Sequence, residues 1–395
     1  MKANKINGLT GIRAIAAFWV LIYHSASVFY LAQPALNTFS DAMNPLVPAF
    51  ANYGFLGVDT FFILSGFVIS YTYFDWFSVD LSARKWVTHY ARYIIFRLAR
   101  IYPALMFVFF MGSLLLFLYA LTPENLALRH LSLFFKSLPS MLTLTYNVSL
   151  TNLKEFSQSY WNFNPPLWSI SIEWVAYLFF PFLVMLTSTF SKKYLLFIAL
   201  FLLFILQLYV YISPPVIGNL VLSSVSFFIF GMPAIVRIAA DFFLGYFFYH
   251  MYQDAKLSVN ARYIDVAAIM AILAIVGMIY FFHVVEVLIL IALGIFVFCV
   301  ALNPPITGKL LSSRIMVYLG NISYAIYLVH FLVLQVIVSK MNQYHWFVDL
   351  NKSGVDKVFA FILYVLVVVV IASLVYHLIE KPAQRWIRKI PEKFI

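Results

Sequence analysis

Arg13 and His24 bracket the run GIRAIAAFWVLIYH, which is otherwise apolar. In an α-helix the intervening eleven steps amount to about 1,100°, three turns plus roughly 20°. Both side chains therefore fall on one stripe, about 16 Å apart along the axis. Ionisable groups within a bilayer are costly and face a bundle interior or a watery cavity. An arginine near a membrane surface can snorkel, so Arg13 taken alone is compatible with a purely interfacial role. Histidine titrates near neutral pH and serves as general base or nucleophile, which makes His24 the candidate reactive group.

Other polar residues at depth belong to the same chemistry. FRLARIYP places Arg97 and Arg100 three residues apart, on one helix face. Together with Arg13 and Arg92, expected at the same membrane level, they suit an anion clamp for phosphates; a lone arginine there would be a topology signal only. NPPLWSISIEWVAYLFFP places Ser169, Glu173 and Tyr177 on one stripe, with Glu173 about one and a half turns deep, near the level expected for His24. A carboxylate at that depth can orient an imidazole and stabilise its charged form. Glu173 is the first choice for that role, and Asp59, in GVDTFFILSGF, the second. SYAIYLVH sets Ser323, Tyr327 and His330 on one side of a helix, where His330 is either a second polar anchor or a packed, hydrogen-bonded histidine. The histidines at 89, 130, 250, 283, 345 and 377 stand singly near segment ends and read as packing residues.

The elements that must position these groups follow from composition. The chain of 395 residues is 64% hydrophobic and 10% charged, against about 25% charged in a typical soluble domain. No soluble fold of this length hides so much apolar surface. The expected class is an all-α polytopic membrane protein. A span takes about 20 apolar residues, and ten segments qualify: 9–32, 52–74, 94–121, 168–188, 194–212, 226–251, 263–282, 284–302, 317–340 and 356–380. The sixth, with Pro233 and Arg237 near its start, is open to division into a half-helix and a full span. Residues 1–395 thus form a single membrane-embedded domain with no separate soluble domain. Despite Lys2 and Lys5 ahead of it, the first run is expected to be retained, because its polar residues serve no purpose in a disposable leader.

With both termini in the cytoplasm, the inside segments collect the large majority of the 26 lysines and arginines, and Arg237 falls with the outside group. That asymmetry is the positive-inside pattern. It accounts for most of the +11 formal charge without nucleic acid. The single cysteine, Cys299, excludes a disulfide framework, and no metal-ligand spacing, dinucleotide fingerprint or Walker pattern occurs.

Six stretches resemble the bacterial acyltransferase-3 family of integral-membrane O-acyltransferases: GLTGIRAIAAFWVLIYH, GVDTFFILSGFVIS, FRLARIYPA, PPLWSISIEW with YLFFPFL, LGNISYAIYLVH and IEKPAQRW. They run in the family's order over almost the whole chain. Thr10 and Gly11 depart from an acidic residue and glycine more common in the family. The resemblance implies transfer of an acyl group, usually acetyl, from cytoplasmic acyl-CoA to a hydroxyl of a cell-surface glycan or its lipid-linked precursor. It carries the family's arginine-plus-histidine pair onto Arg13 and His24, its paired arginines onto Arg97 and Arg100, and its acidic residue of the fourth span onto Glu173. It places the chain in the bacterial inner membrane, with acyl-CoA as donor co-substrate and no permanently bound cofactor or metal.

In the expected mechanism, the arginines hold the donor phosphates, the pantetheine arm runs along the stripe from Arg13, and His24 takes the proton of the acceptor hydroxyl or carries the acyl group itself. The outer segment 122–167 is expected to shape the acceptor site. Two rivals stand beside this reading. A multi-span transporter or flippase of a glycan or other anionic substrate also accommodates buried charges. A membrane acyltransferase of another family, acting on lipid or protein, would share the deep histidine but lack the ordered motifs.

Overall fold

Apolar segments have one backbone solution in lipid: every N–H and C=O is satisfied within the segment, so the chain coils into helices. The structure is a computed structural model and describes residues 5–29, 48–78, 82–120, 134–136, 138–146, 164–212, 216–217, 220–221, 231–255, 261–282, 286–343 and 354–390. His130, His283 and His345, and most of the segment 122–167, lie outside the described residues.

In chain order the elements are α1 (Asn7–Phe29), α2 (Pro48–Asn52), α3 (Leu56–Phe77), α4 (Ala83–Ala120), a 3₁₀ turn (Pro165–Leu167) leading into α5 (Trp168–Thr187), and α6 (Lys192–Ile212). There follow α7 (Gly231–Ala255), α8 (Ala261–Gly277) with a π turn (Met278–Phe282), α9 (Glu286–Ala301), α10 (Thr307–Leu311), α11 (Arg314–Gln343), α12 (Gly354–Val375) with a π turn (Tyr376–Glu380), and α13 (Lys381–Ile387). A two-residue antiparallel pairing of Val216–Ile217 with Leu220–Val221 is the strand content among the described residues.

The protein is thus an all-helical, multi-pass membrane protein. Among the described residues, eight helices are long and apolar enough to cross a bilayer. They fall on eight of the ten expected spans. The other two expectations, 9–32 and 284–302, fall on α1, whose 23 residues include Arg13 and His24, and on α9, an apolar helix of 16 residues. The side chains facing away from the protein are apolar: Phe197 and Phe204 on α6 and Phe359 on α12 are all exposed. The polar residues go inward, with Asp59, Arg237, Asp241, His330 and Glu380 all fully buried.

Two boundaries differ from expectation. Helix α4 begins at Ala83, eleven residues early, so Arg84, Lys85 and Arg92 sit on helix and not in a loop. Helix α7 begins at Gly231, five residues later than the expected span 226–251, and Arg237 lies within it as that span has it. The cause is Pro233: it occupies the first turn of α7, where its missing N–H costs nothing. Gly231 opens that helix with φ +57, a conformation that suits glycine.

Packing divides the chain into two compact units. Unit 1 comprises Met1–Tyr23, Met43–Ala91 and Val175–Ser323, and unit 2 comprises His24–Ala42, Arg92–Trp174 and Tyr324–Ile395. Within unit 1, α3 lies closely against α7. A Cβ on Gly66 would run into the carbonyl of Phe242, and one on Gly245 into the carbonyl of Ile63. Small residues of this kind let membrane helices approach backbone to backbone. Trp19 of α1 donates to the Phe50 carbonyl at 2.7 Å and stacks on its ring at 4.9 Å. Asp265 accepts from the backbone N–H groups of Ile306 and Thr307, each at 2.9 Å, and so ties α8 to the start of α10.

Candidate active site

The groups of unit 2 come together from four sequence segments. Helix α11 carries SYAIYLVH, and its C-terminal half brings Tyr327 and His330 inward, both buried. His330 Nδ1 lies 2.7 Å from the Tyr327 carbonyl and 3.2 Å from that of Ile326. A carbonyl only accepts, so Nδ1 carries hydrogen. His330 Nε2 lies 3.2 Å from Nδ1 of His24, and the two rings are 5.1 Å apart. With both imidazoles neutral, His330 Nε2 is the acceptor and His24 Nδ1 the donor. The lone pair of His24 is then on Nε2. Phe331 meets the His24 ring edge to face at 5.6 Å. Tyr364 of α12 donates to the His330 carbonyl at 3.1 Å, holding the outer part of the arrangement.

Around this pair runs a fixed set of hydrogen bonds. Ser169 and Tyr327 share one at 2.7 Å, and the Tyr327 hydroxyl lies 2.5 Å from the Pro166 carbonyl. Asn164 Nδ2 donates to the Leu328 carbonyl at 2.9 Å. The two prolines explain the geometry: Pro165 and Pro166 begin the helical turn without needing N–H partners, and the Pro166 carbonyl is left to accept. The last residues of the segment 122–167 that are described fold back here. Ser171 donates to the Leu144 carbonyl at 2.7 Å, and Tyr146 to that of Leu167 at 2.6 Å. Burial first, and then Tyr327, push the Tyr146 phenol well above its ordinary pKa, so it remains a donor.

Glu173, expected to orient the imidazole, lies half-buried on α5 in the same unit, within electrostatic reach of Tyr324. His24 shares a hydrogen bond with His330. No periodicity could reveal that pairing, because 306 residues separate the two.

The arginine pair sits on the first half of α4. Arg97 is half-buried, with its guanidinium 5.8 Å from the Tyr93 ring. Arg100 is ion-paired with Glu380, whose side chain is fully buried, and lies 5.2 Å over the Tyr324 ring. The Tyr324 hydroxyl in turn donates to the Ile101 carbonyl at 2.9 Å. Glu380 ends the π turn Tyr376–Glu380 and accepts a second hydrogen bond, from Gln384 at 2.9 Å. The turn has a local cause in IEKPAQRW: Pro382 has no N–H and crowds the carbonyl one turn before it, so the helix widens there. Sequence reasoning put Arg100 beside Arg97 as two equivalent cations. The structure pairs Arg100 with a buried counter-ion, Glu380.

In unit 1, Arg13 lies half-buried on α1. Gly11, two residues earlier, faces the Leu311 backbone so closely that a Cβ would collide with its carbonyl. Asp59 is fully buried and gives both oxygens to Arg237, at 2.6 Å to Nε and 2.8 Å to Nη2. This carboxylate, second choice to orient His24, is thus committed to a salt bridge. His89 and His250 are packing residues as expected: His89 Nδ1 lies 3.1 Å from the Trp76 carbonyl, and His250 packs edge to face on Phe74 at 4.9 Å.

No curated protein and no solved structure gives a significant match to the chain. A family model described as an acyltransferase domain matches residues 6–377, nearly the whole length. With its ordered motifs and its helices long and apolar enough to cross a membrane, the chain belongs to the acyltransferase-3 family.

Proposed function

We propose that this membrane acyltransferase is an O-acyltransferase of the bacterial inner membrane. It moves an acyl group, acetyl in the simplest case, from cytoplasmic acyl-CoA to a hydroxyl of a cell-surface glycan or of its lipid-linked precursor. The observation that carries the reading is the His24–His330 pair: a histidine inside a helix bundle whose tautomer is set, through a second histidine, by backbone carbonyls.

His24 Nε2 accepts the proton of the acceptor hydroxyl as its oxygen bonds to the thioester carbonyl carbon. The tetrahedral intermediate collapses, the C–S bond breaks, and the CoA thiolate leaves. The proton held on His24 returns to that thiolate, giving the free thiol and a neutral imidazole. His330 is a positioning residue in this scheme and does what a carboxylate does in a catalytic triad: it fixes the tautomer and the ring plane. Glu173 supplies the negative charge in unit 2 that offsets the transient imidazolium. Asp59 stays with Arg237 and takes no part.

Arg97 and Arg100 bind the donor phosphates, with Arg97 contributing charge and Arg100 the N–H groups that Glu380 leaves unused. Arg13, three turns before His24 on one unbroken helix, is a further donor-binding cation. No cofactor or metal enters the scheme.

Mass spectrometry of surface glycans from cells with and without the intact gene tests the reading. An acyl group present on a glycan only with the gene supports it and identifies both acyl group and acceptor. Identical glycan acylation in the two strains overturns it.

A further inference from the structure

A charged surface follows α12 in unit 2. The exposed side chains of α12 itself are apolar, Val370 and Leu374 among them, and Leu378 in the π turn is 71% exposed. Within two further turns the exposed residues change character. Arg385, Arg388 and Lys389 are exposed, and so is Trp386, by 70%.

Lys381, Arg385 and Arg388 follow at i, i+4 and i+7, so they share one stripe of α13, which Arg388 caps in helical geometry. Lys389 adjoins the stripe, and the Lys381 ammonium lies 5.8 Å over the Tyr376 ring. Glu380 is the one acid between Lys357 and Pro391. It is withdrawn from this surface: its side chain is fully buried, ion-paired with Arg100, and accepts from Gln384 at 2.9 Å.

The exposed apolar face of a membrane helix lies in hydrocarbon, and the residues just beyond it lie among headgroups, a layer about 5–8 Å deep. Arg385 is seven residues past Leu378, a rise of about 10 Å. A long basic side chain reaches back over that distance to the level of the phosphates. A guanidinium pairs with phosphate through two parallel N–H donors. Basic residues clustered beside a span attract anionic headgroups. A zwitterionic headgroup brings its own cation beside the phosphate, so net attraction to the stripe requires a headgroup that is anionic overall. Charge alone would serve only to orient the chain in the membrane. The ordering of these cations on one stripe, with an exposed indole beside Arg385, adds a surface that a lipid fits. Indoles favour this same layer.

We propose that Arg385, Arg388, Lys389 and Trp386 form a binding surface for an anionic phospholipid. The cations hold the headgroup phosphate, and the Trp386 ring lies along the glycerol and the upper part of an acyl chain. The lipid is held without covalent chemistry and exchanges with the bilayer. The inference rests on the residues beyond α12 and is independent of the acyl-transfer reading.

Fluorescence quenching of the full-length protein in phosphatidylcholine nanodiscs tests it, with phosphatidylglycerol brominated high on its acyl chains as the probe. The wild type is expected to be quenched more by this lipid than by brominated phosphatidylcholine at equal mole fraction. Trp386→Phe is expected to lose that excess. Each basic side chain near an anionic surface contributes about fivefold in affinity. Replacing Arg385 and Lys389 together by Gln should therefore raise the mole fraction of phosphatidylglycerol needed by about 25-fold, with quenching by phosphatidylcholine unchanged. If that double variant does not fold, Arg385→Gln serves in its place, with about a fivefold rise expected. Overturning results are equal quenching by the two lipids, an excess that survives in either variant, or an excess abolished by inorganic phosphate at matched ionic strength. The last would mean that a free anion, not a lipid, occupies the surface.

Discussion

Removing the guanidinium of Arg100 should markedly destabilise the protein, because it strands Glu380, the buried partner of its ion pair. Glu380 is fully buried, and Arg100 is 19% exposed at its side chain. Taking away one partner of a buried ion pair leaves an uncompensated charge, a loss of about 3–5 kcal/mol. Gln384 still donates to Glu380, and Arg100 is partly hydrated, so the lower end, about 3 kcal/mol, applies. Loss of the contact over Tyr324 adds about 0.5–1 kcal/mol. Arg97→Ala forfeits a ring contact of similar size with Tyr93. Arg100→Ala should therefore cost about 3–4 kcal/mol in all. Glu380→Gln strands a partly exposed arginine and should cost about 1.5–3 kcal/mol, the range for a charged hydrogen bond. Removing both ions is close to neutral, so the double variant should be far more stable than the sum of the singles. The assay is denaturant titration of detergent-purified protein, read by tryptophan fluorescence. A cycle in which the costs of Arg100→Ala and Glu380→Gln add to within about 0.5 kcal/mol would refute the reasoning. Kinetics complete the test: Arg97→Ala should raise the acyl-CoA requirement, and unchanged donor saturation in both arginine variants would remove the phosphate clamp.

Three further predictions concern single residues. Arg237→Leu strands two buried carboxyl groups and should cost about 3–5 kcal/mol, seen as a marked loss of monodisperse protein in fluorescence-detected gel filtration. Gly66→Ala drives a methyl into the Phe242 carbonyl and should destabilise by about 1–3 kcal/mol, whereas the same change at Gly277, where a Cβ meets nothing, should be neutral or slightly stabilising. His330→Leu releases His24 from its orientation, and because a misplacement of about 1 Å costs ~10²-fold, kcat should fall by about that factor with little change in donor KM; an equal loss confined to KM would contradict a positioning role.

What was legible in the sequence was local. Apolar runs of bilayer length gave the helices, because a backbone in lipid has no alternative. The i, i+3 and i, i+4 spacings gave helix faces, so Arg97 with Arg100 and Ser169 with Glu173 were found as stripes. The partners of those residues were not legible, since they lie on distant helices: Asp59 and Arg237 are 178 residues apart, and Arg100 and Glu380 are 280 apart. One further signal was present in the sequence. A charged residue on a membrane helix needs a counter-charge, and Asp241, one turn after Arg237, marks that arginine as part of a buried network. Pro233 left a division of that span open, because a proline in the first turn of a helix looks, in sequence, like a break.

The central claim is that His24 takes the acceptor's proton. It is tested most directly by single-turnover acyl transfer from radiolabelled acetyl-CoA in membranes bearing the wild type or His24→Ala, at matched expression. The expected result is a protein inserted and folded as the wild type, with transfer slowed by about 10²–10⁴-fold. Transfer at near wild-type rate in the His24→Ala membranes would contradict it.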